Sequence, residues 1–300
     1  MKYKGLVFGI YPRSETLRKS INLWERGKLP LDELKQRITE EKDGILRFLE
    51  GLHLSHTDPL VNWHDILRPL ALSLTNVRLG ELHRYRETNT FYRQPVITGD
   101  VEYRNQDNVE HDGFPYFPAF QTASSADMIG FIPGPHSFIA MSRVETDVER
   151  GKLLREVATA ASKFIEAYGL DEVVIYDPIP FGGADLFYLS DLVERFRVTL
   201  ISAGDVTASS LRGIGKDLHA LSARSIPAGA FDGPVYLQVV DSQNTKLEDP
   251  HEISATLDLE AENNEWSDVG ITHTEYLDFL PRRIADEKVR LMGEVLAHGS

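Results

Sequence analysis

The sequence contains no cysteine. That removes disulfides, thiolate nucleophiles and every zinc site built on sulfur. Positive charge is in short supply as well. Lys and Arg number 32 against 46 Asp and Glu, a net charge of −14. Such a balance argues against binding to nucleic acid or to an anionic membrane surface. No apolar run approaches the ~20 residues of a membrane-spanning helix. Lys2 and Lys4 lead only into a five-residue apolar run at 6–10, too short for the core of a signal peptide. These features predict a cytoplasmic protein. No G-x-G-x-x-G follows the first apolar run, and neither a phosphate-binding P-loop nor a G-x-S-x-G elbow occurs. The ten histidines include His53 and His56 three apart and His64 beside Asp65, but no H-E-x-x-H pair. A metal site on them is disfavoured.

What is present alternates. Short apolar runs at 6–10, 128–132, 172–176, 198–202, 218–221, 235–240 and 269–272 read as strands. Helical spacing runs over 16–25, 31–49, 148–168, 189–196, 253–263 and 284–297. Residues 51–54, 79–82 and 94–103 read as further strands, 63–72 as a helix and 104–121 as an irregular loop. Strands separated by helices imply parallel pairing with crossovers. About eight such units in 300 residues predict an α/β fold, a (β/α)8 TIM barrel, as one domain over 1–297. A doubly wound open sheet is the alternative. Residues 298–300 read as a remnant outside that domain.

Barrel active sites gather at the C-terminal ends of strands. Asp177 and Asp241 close apolar runs there and are the catalytic candidates. Asp177-Pro178 also reads as a simple turn start. The stretch Gly134-Pro135-His136-Ser137 follows a strand. It fits a turn aiming backbone N–H groups at a ligand, through His136 and Ser137, and equally a helix N-cap. Asp205 reads first as the cap of a following helix. The basic opening "GIYPRSETLRKSINLWERGK" contributes Arg13, Arg18 and Lys19, and "ELHRYRETNTFYRQP" adds Arg84 and Arg93. Arginine suits bidentate recognition of carboxylates. Placed in the first three β/α units, these side chains would be neighbours around an anionic ligand. A solvated mixed-charge surface is the alternative.

The order and spacing of these stretches resemble the cobalamin-independent methionine synthases, and most of all the N-terminal, zinc-free barrel of that family. "GIYPRSETLRKSINLWERGK", "RYRETNTFYRQP", "GPHSFIAMSR", "VVIYDPI", "SAGDV", "LHALSAR", "VVDSQN" and "LDFLPRRIADEKVRL" occur in the family's order. The resemblance implies methyl transfer from a methyl-tetrahydrofolate (methyl-tetrahydropterin) donor to homocysteine, within methionine biosynthesis. It places Arg18 and Arg84 at the two lysines that hold the donor's glutamate tail, and Glu15 where the family has an arginine. The family's paired acidic motif becomes Tyr176-Asp177. Its four zinc ligands correspond to Leu200, Ser202, Leu221 and Glu275, which hold no ligand set between them. The resemblance therefore implies a donor-binding barrel without its own metal, with Arg13, Arg18, Lys19, Arg84, His136 and Ser137 around the donor. A separate zinc-bearing catalytic-barrel protein of the same family would be its partner. The alternatives are a methyltransferase acting alone on another acceptor, and a non-catalytic binding or scaffold barrel.

Overall fold

Parallel strands fix the architecture of the computed structural model, which describes residues 3–86, 88–105, 109–111, 114–116, 128–180 and 186–298. Eight of them form one sheet: β1 (Lys4–Val7), β2 (Ser55–His56), β3 (Gly130–Pro133), β4 (Glu172–Asp177), β5 (Arg197–Ser202), β6 (Ala220–Ser222), β7 (Val235–Val240) and β8 (Val269–His273). Their order around the sheet is β2-β1-β8-β7-β6-β5-β4-β3. A parallel bridge between Thr57 and Ile129 joins β2 to β3 and brings the two edges together. The expected (β/α)8 barrel is the observed fold. Its strands are Val, Ile and Leu rich because a parallel sheet is covered on both faces. In β4 and β5 every residue after the first is buried or nearly so.

The barrel interior is aromatic. Phe8 packs against Tyr176 with ring centroids 5.1 Å apart, and against the His273 ring at 4.2 Å and 16°. Phe131 lies 6.2 Å from Tyr176. Outside, the helix Leu31–Gly51 buries Leu34, Ile38, Ile45 and Leu49. These are the residues whose spacing predicted it. The helix Arg150–Ala167 starts at Glu149, whose carboxylate accepts from the N–H groups of Gly151 and Lys152.

Several expectations are corrected. Residues 51–54 are not the second strand: the helix runs to Gly51, and β2 begins at Ser55. The runs near 79–82 and 94–103 are not barrel strands either. Val77–Arg84 and Phe91–Ile97 pair antiparallel as a hairpin inserted between β2 and β3. Arg84 and Arg93 therefore do not belong to β/α units of the barrel. The helix expected over 63–72 is only Arg68–Ala71, because Asp65 Oδ1 caps the N–H groups of Leu67 and Arg68 (3.0 Å each). Asp205 caps no helix. Its carboxylate takes a bidentate pair from Arg224 at 2.9 and 2.6 Å. The last helix, Arg282–His298, includes His298. Of the irregular loop expected over 104–121, Val109–His111 and Phe114–Tyr116 instead pair antiparallel, and most of the rest lies outside the described residues.

The helical ring has a gap. Neither the β5–β6 nor the β6–β7 connection contains a helix. The β6–β7 linker, "SIPAGAFDGP", carries two prolines and two glycines in ten residues, which suits turns and breaks helices. Strands β6 and β7 also diverge early, pairing only at Leu221–Val235. The middle of β7, from Leu237 to Val239, is consequently only half-buried. Among the described residues no helix is long and apolar enough to cross a membrane.

Candidate functional site

The barrel mouth is organised around Glu275, just beyond β8. The carboxylate is 3% exposed. It accepts from Tyr85 Oη at 3.2 Å, from Tyr176 Oη and from the Arg86 guanidinium. Burial pushes the Glu275 carboxyl up, and the donors from Tyr176, Arg86 and Tyr85 pull the other way. Arg86 reaches the mouth from the hairpin turn, where its φ of +51° places a non-glycine residue in the left-handed region. That costs on the order of 1–2 kcal/mol, and such strain concentrates at functional positions.

His273 positions Glu275 from below. The Phe8 N–H donates to His273 Nε2 at 3.1 Å, so Nε2 is the acceptor. Nδ1 then carries the proton and donates to the Glu275 carbonyl at 2.6 Å. Full burial lowers the His273 imidazole to about 4 and keeps it neutral. The Glu275 N–H donates to Ser242 Oγ at 2.8 Å, tying β8 to the loop after β7.

A cavity of about 570 Å³ opens beside this cluster, a size typical of small-molecule sites. Glu275, Arg86, Thr274, Asp241 and Gln238 line its mouth side. Gln238 points into the barrel and donates to Ser202 O at 2.8 Å and Ser222 Oγ at 3.2 Å. Asp241 Oδ1 accepts from the Gln243 N–H at 2.8 Å, an Asx turn that fixes its side chain at the rim. The turn is held from outside by Glu248, whose Oε1 accepts from Asp241 N–H and from the fully buried Lys288.

The other catalytic candidate, Asp177, lies elsewhere. It is fully buried, and Oδ1 accepts from Ser137 N–H at 3.1 Å. Gly134 lets it approach, since a Cβ there would run into the Asp177 carboxyl. Two stretches that read separately, Gly134–Ser137 and Asp177-Pro178, thus meet: the N–H aimed outward binds the chain's own carboxylate through Oδ1, and Oδ2 stays unpaired. Burial pushes Asp177 up to about 6. Ser137 is fully buried, while His136 is half-buried and has its imidazole lowered by burial.

Of the basic residues, Arg13 and Arg18 converge on Asp278, and the others scatter. Arg13 donates to Val61 O at 2.6 Å and Trp63 O at 2.7 Å, bracing the loop after β2. Arg18 is exposed on the helix Glu15–Glu25, and Lys19 pairs loosely with Glu15 at 3.7 Å. Arg84 is exposed on the hairpin and donates to Asn89 Oδ1 at 3.2 Å. Arg86 and Arg224, which line the cavity, were not singled out from the sequence. For Arg86, a left-handed turn residue paired with Glu275 across 189 positions leaves no local pattern.

At the four positions matched to zinc ligands the side chains present do not form a zinc set. Ile201 is in register with the inward-facing Tyr176, so Leu200 and Ser202 point to the outer side of the sheet. Leu221, in register with Leu200, points out as well. Of the four positions matched to zinc ligands, only Glu275 faces the mouth. The inward neighbours Ile201 and Ser222 add one hydroxyl, which is not a zinc donor of the usual kind. Among the described residues no group of three or more His, Asp or Glu side chains is placed to hold a metal.

A family model described as "Cobalamin-independent synthase, Catalytic domain" matches residues 5–218. It is thus the catalytic-domain model that matches, where the sequence reading aligned the chain with the N-terminal barrel. A 5-methyltetrahydropteroyltriglutamate–homocysteine methyltransferase of Streptococcus mutans is 24% identical over 214 residues, which is 67% of this chain and 28% of that protein. The protein of that name from Mesorhizobium japonicum is 24% identical over 219 residues, covering 67% and 27%. The chain therefore matches little more than a quarter of these relatives' length. A solved chain from Listeria monocytogenes, assigned as a vitamin-B12 independent methionine synthase, shares the fold with a TM-score of 0.67 at 15% identity over 99% of both chains. A B12-independent methionine synthase from Shewanella sp. W3-18-1, in complex with selenomethionine, gives 0.70 at 14% identity over 99% of this chain and 98% of its own. Most of the cavity lining, from Ala223 to Glu275, falls beyond the matched residues.

Proposed function

The chain belongs to the cobalamin-independent methionine synthase family, and from that premise we propose that it is a methyl-transfer barrel that binds a methyl-tetrahydropterin and has no zinc centre of its own. The observation that carries this reading is the mouth: a cavity of ligand size next to Glu275, in a barrel whose zinc-equivalent positions hold leucines, a serine and one clamped carboxylate. The reaction breaks the donor's N5–CH3 bond and forms an S–CH3 bond, and N5 takes up a proton. The residues of this chain bind and orient the donor and keep water out. In this reading Asp241, at the cavity rim, accepts from the amine and ring N–H edge of the pterin and so orients the donor. Arg86 and Arg224 replace Arg18 and Arg84 as the cations nearest the ligand. The thiol must become a thiolate elsewhere, and the proposed source is a separate zinc-bearing protein of the same family, where coordination lowers a thiol's pKa.

The test is a calorimetric titration of the purified chain with 5-methyltetrahydrofolate, in monoglutamyl and triglutamyl forms. A methionine-formation assay with and without a zinc-bearing family member follows. The reading predicts binding by this chain alone and turnover only with the second protein. Turnover by the isolated chain would refute the division of labour. No binding of either form would refute the donor site.

A further inference from the structure

The hairpin inserted between β2 and β3 ends in an open edge. Its strand Phe91–Ile97 is the middle of a small sheet, with Arg143–Val144 on one side and Val77–Arg84 on the other. Among the described residues no strand pairs with the outer side of Val77–Arg84. Arg78 and the run from Glu81 to Arg84 are exposed. Leu82, opposite Arg93, shares a face with Phe91, and the two side chains are 55% and 50% exposed, an apolar patch beside the edge. The strand has neither proline nor lysine to blunt it. Such an edge is a template for another strand.

Backbone direction and charge together select the strand that fits. Thr98 N–H donates to Asn76 O at 2.9 Å, and Tyr85 N–H donates to Thr90 O at 2.8 Å. In an antiparallel ladder alternate residues turn both backbone groups to the same side. Counted from those two contacts, Val77 and Leu79, then Leu82 and Arg84, turn theirs outward. The switch from odd to even numbers marks a bulge, where Gly80 and Glu81 together stand opposite Gln94. The bulge also puts Arg78, opposite Val96, and Glu81, opposite Gln94, on one face of the strand. A second copy of the same strand, antiparallel and centred on Leu79, meets all these conditions. Leu79 then faces Leu79, and Val77 of each copy faces Leu82 of the other, so outward-turned groups meet throughout. Arg78 of each copy stands opposite Glu81 of the other, an opposite-charge cross-strand pair made twice. Centring on the bulge instead would set Glu81 against Glu81 and Arg78 against His83, which repels.

We propose that Val77–Arg84 is a self-association edge, through which two copies of this chain join antiparallel in the register centred on Leu79. The same hairpin carries Arg86 to Glu275, so the pairing steadies the mouth of both copies whatever ligand the mouth holds. The test is sedimentation equilibrium of the purified full chain from about 1 to 100 µM, with circular dichroism to show that each variant is folded. The intact chain is expected to dimerise within that range. Leu82→Lys places a charge on the edge and should weaken dimerisation by about tenfold or more. Arg78→Glu sets glutamates against each other across both pairs, and Glu81→Arg does the same with arginines. Each variant alone should dimerise about tenfold more weakly. Mixed one to one, the two variants bring opposite charges together at both pairs and should recover the dimer as a mixed one, which an interface elsewhere would not do. A chain that stays monomeric up to about 100 µM would overturn the proposal. So would a dimer that none of these substitutions weakens, or one that mixing the two charge variants fails to recover.

Discussion

Replacing Asp177 by asparagine isolates the cost of a carboxylate sealed in the barrel wall. Asp177 is fully buried, accepts from Ser137 N–H through Oδ1 with the Ser137 hydroxyl close enough to lower its carboxyl as well, and has no partner on Oδ2. Burial moves its carboxyl from 3.8 to about 6. Between those values the folded chain keeps a proton that the unfolded chain has released. The native state then binds more protons, so this group's contribution to stability falls as pH rises from about 4 to 6. At about 1.4 kcal/mol per pH unit the charged form costs about 3 kcal/mol. Asparagine accepts from Ser137 equally well and never charges, but leaves a buried amide N–H unpaired at a cost of about 1 kcal/mol. Asp177→Asn is therefore expected to be slightly less stable than the parent at pH 4 and more stable by about 2 kcal/mol at pH 8. Urea unfolding followed by circular dichroism at both pH values measures that swing. Taking the difference between the two proteins matters because other groups titrate in the same range. Asp278, pushed up to about 6 by burial, slopes the same way. His273, lowered to about 4, slopes the opposite way, losing stability as pH falls from 6.5. Both contributions are shared and cancel. A swing below about 0.5 kcal/mol, or one of opposite sign, would refute the burial argument.

Other outcomes follow from the same packing. Lys288→Met removes the fully buried cation beside Glu248 and should cost about 3 kcal/mol in urea unfolding. Adding Glu248→Gln should recover part of that loss, and no recovery would mean that the stranded charge is not the cause. Gly134→Ala drives a Cβ into the Asp177 carboxyl and should lower stability by about 2 kcal/mol or more, read as a drop in melting temperature. Phe131→Ala empties the aromatic interior at Phe8 and Tyr176, and chemical denaturation should register about 3–5 kcal/mol. In a nitrogen-detected NMR titration His273 should stay neutral, with the proton on Nδ1, down to about pH 4. Protonation near 6.5 would contradict the buried contact with Phe8.

The barrel strands were legible because burial on both faces leaves a plain record: Val-Val-Ile-Tyr in β4 and Val-Thr-Leu-Ile in β5 can hardly be anything else. The amphipathic stripe of Leu34, Ile38, Ile45 and Leu49 was equally plain. The hairpin at 77–97 was not. Its strands are half exposed, so they carry neither a continuous apolar run nor a clean alternation. Of the candidate site residues, Asp241 lines the cavity, whereas Asp177 is sealed in the wall against Ser137 N–H with Oδ2 unpaired. Arg18 and Arg84 were visible as charges, but charge alone does not say which way an exposed side chain points.

Composition and pattern by themselves determined the fold class and the missing thiolates, because these depend on residue type and on local periodicity, and the resemblance of motifs in a fixed order added the family. The clamp of Glu275 by Arg86, Tyr85 and Tyr176 joins residues up to 190 positions apart. The contact of Asp177 with Gly134 and Ser137, and the slot beside β7, likewise arise only when the sheet closes. Register then decides which side chains face inward, and the divergence of β6 from β7 decides where the wall opens. These are properties of strand pairing over long sequence separations, and no single stretch of the chain encodes them.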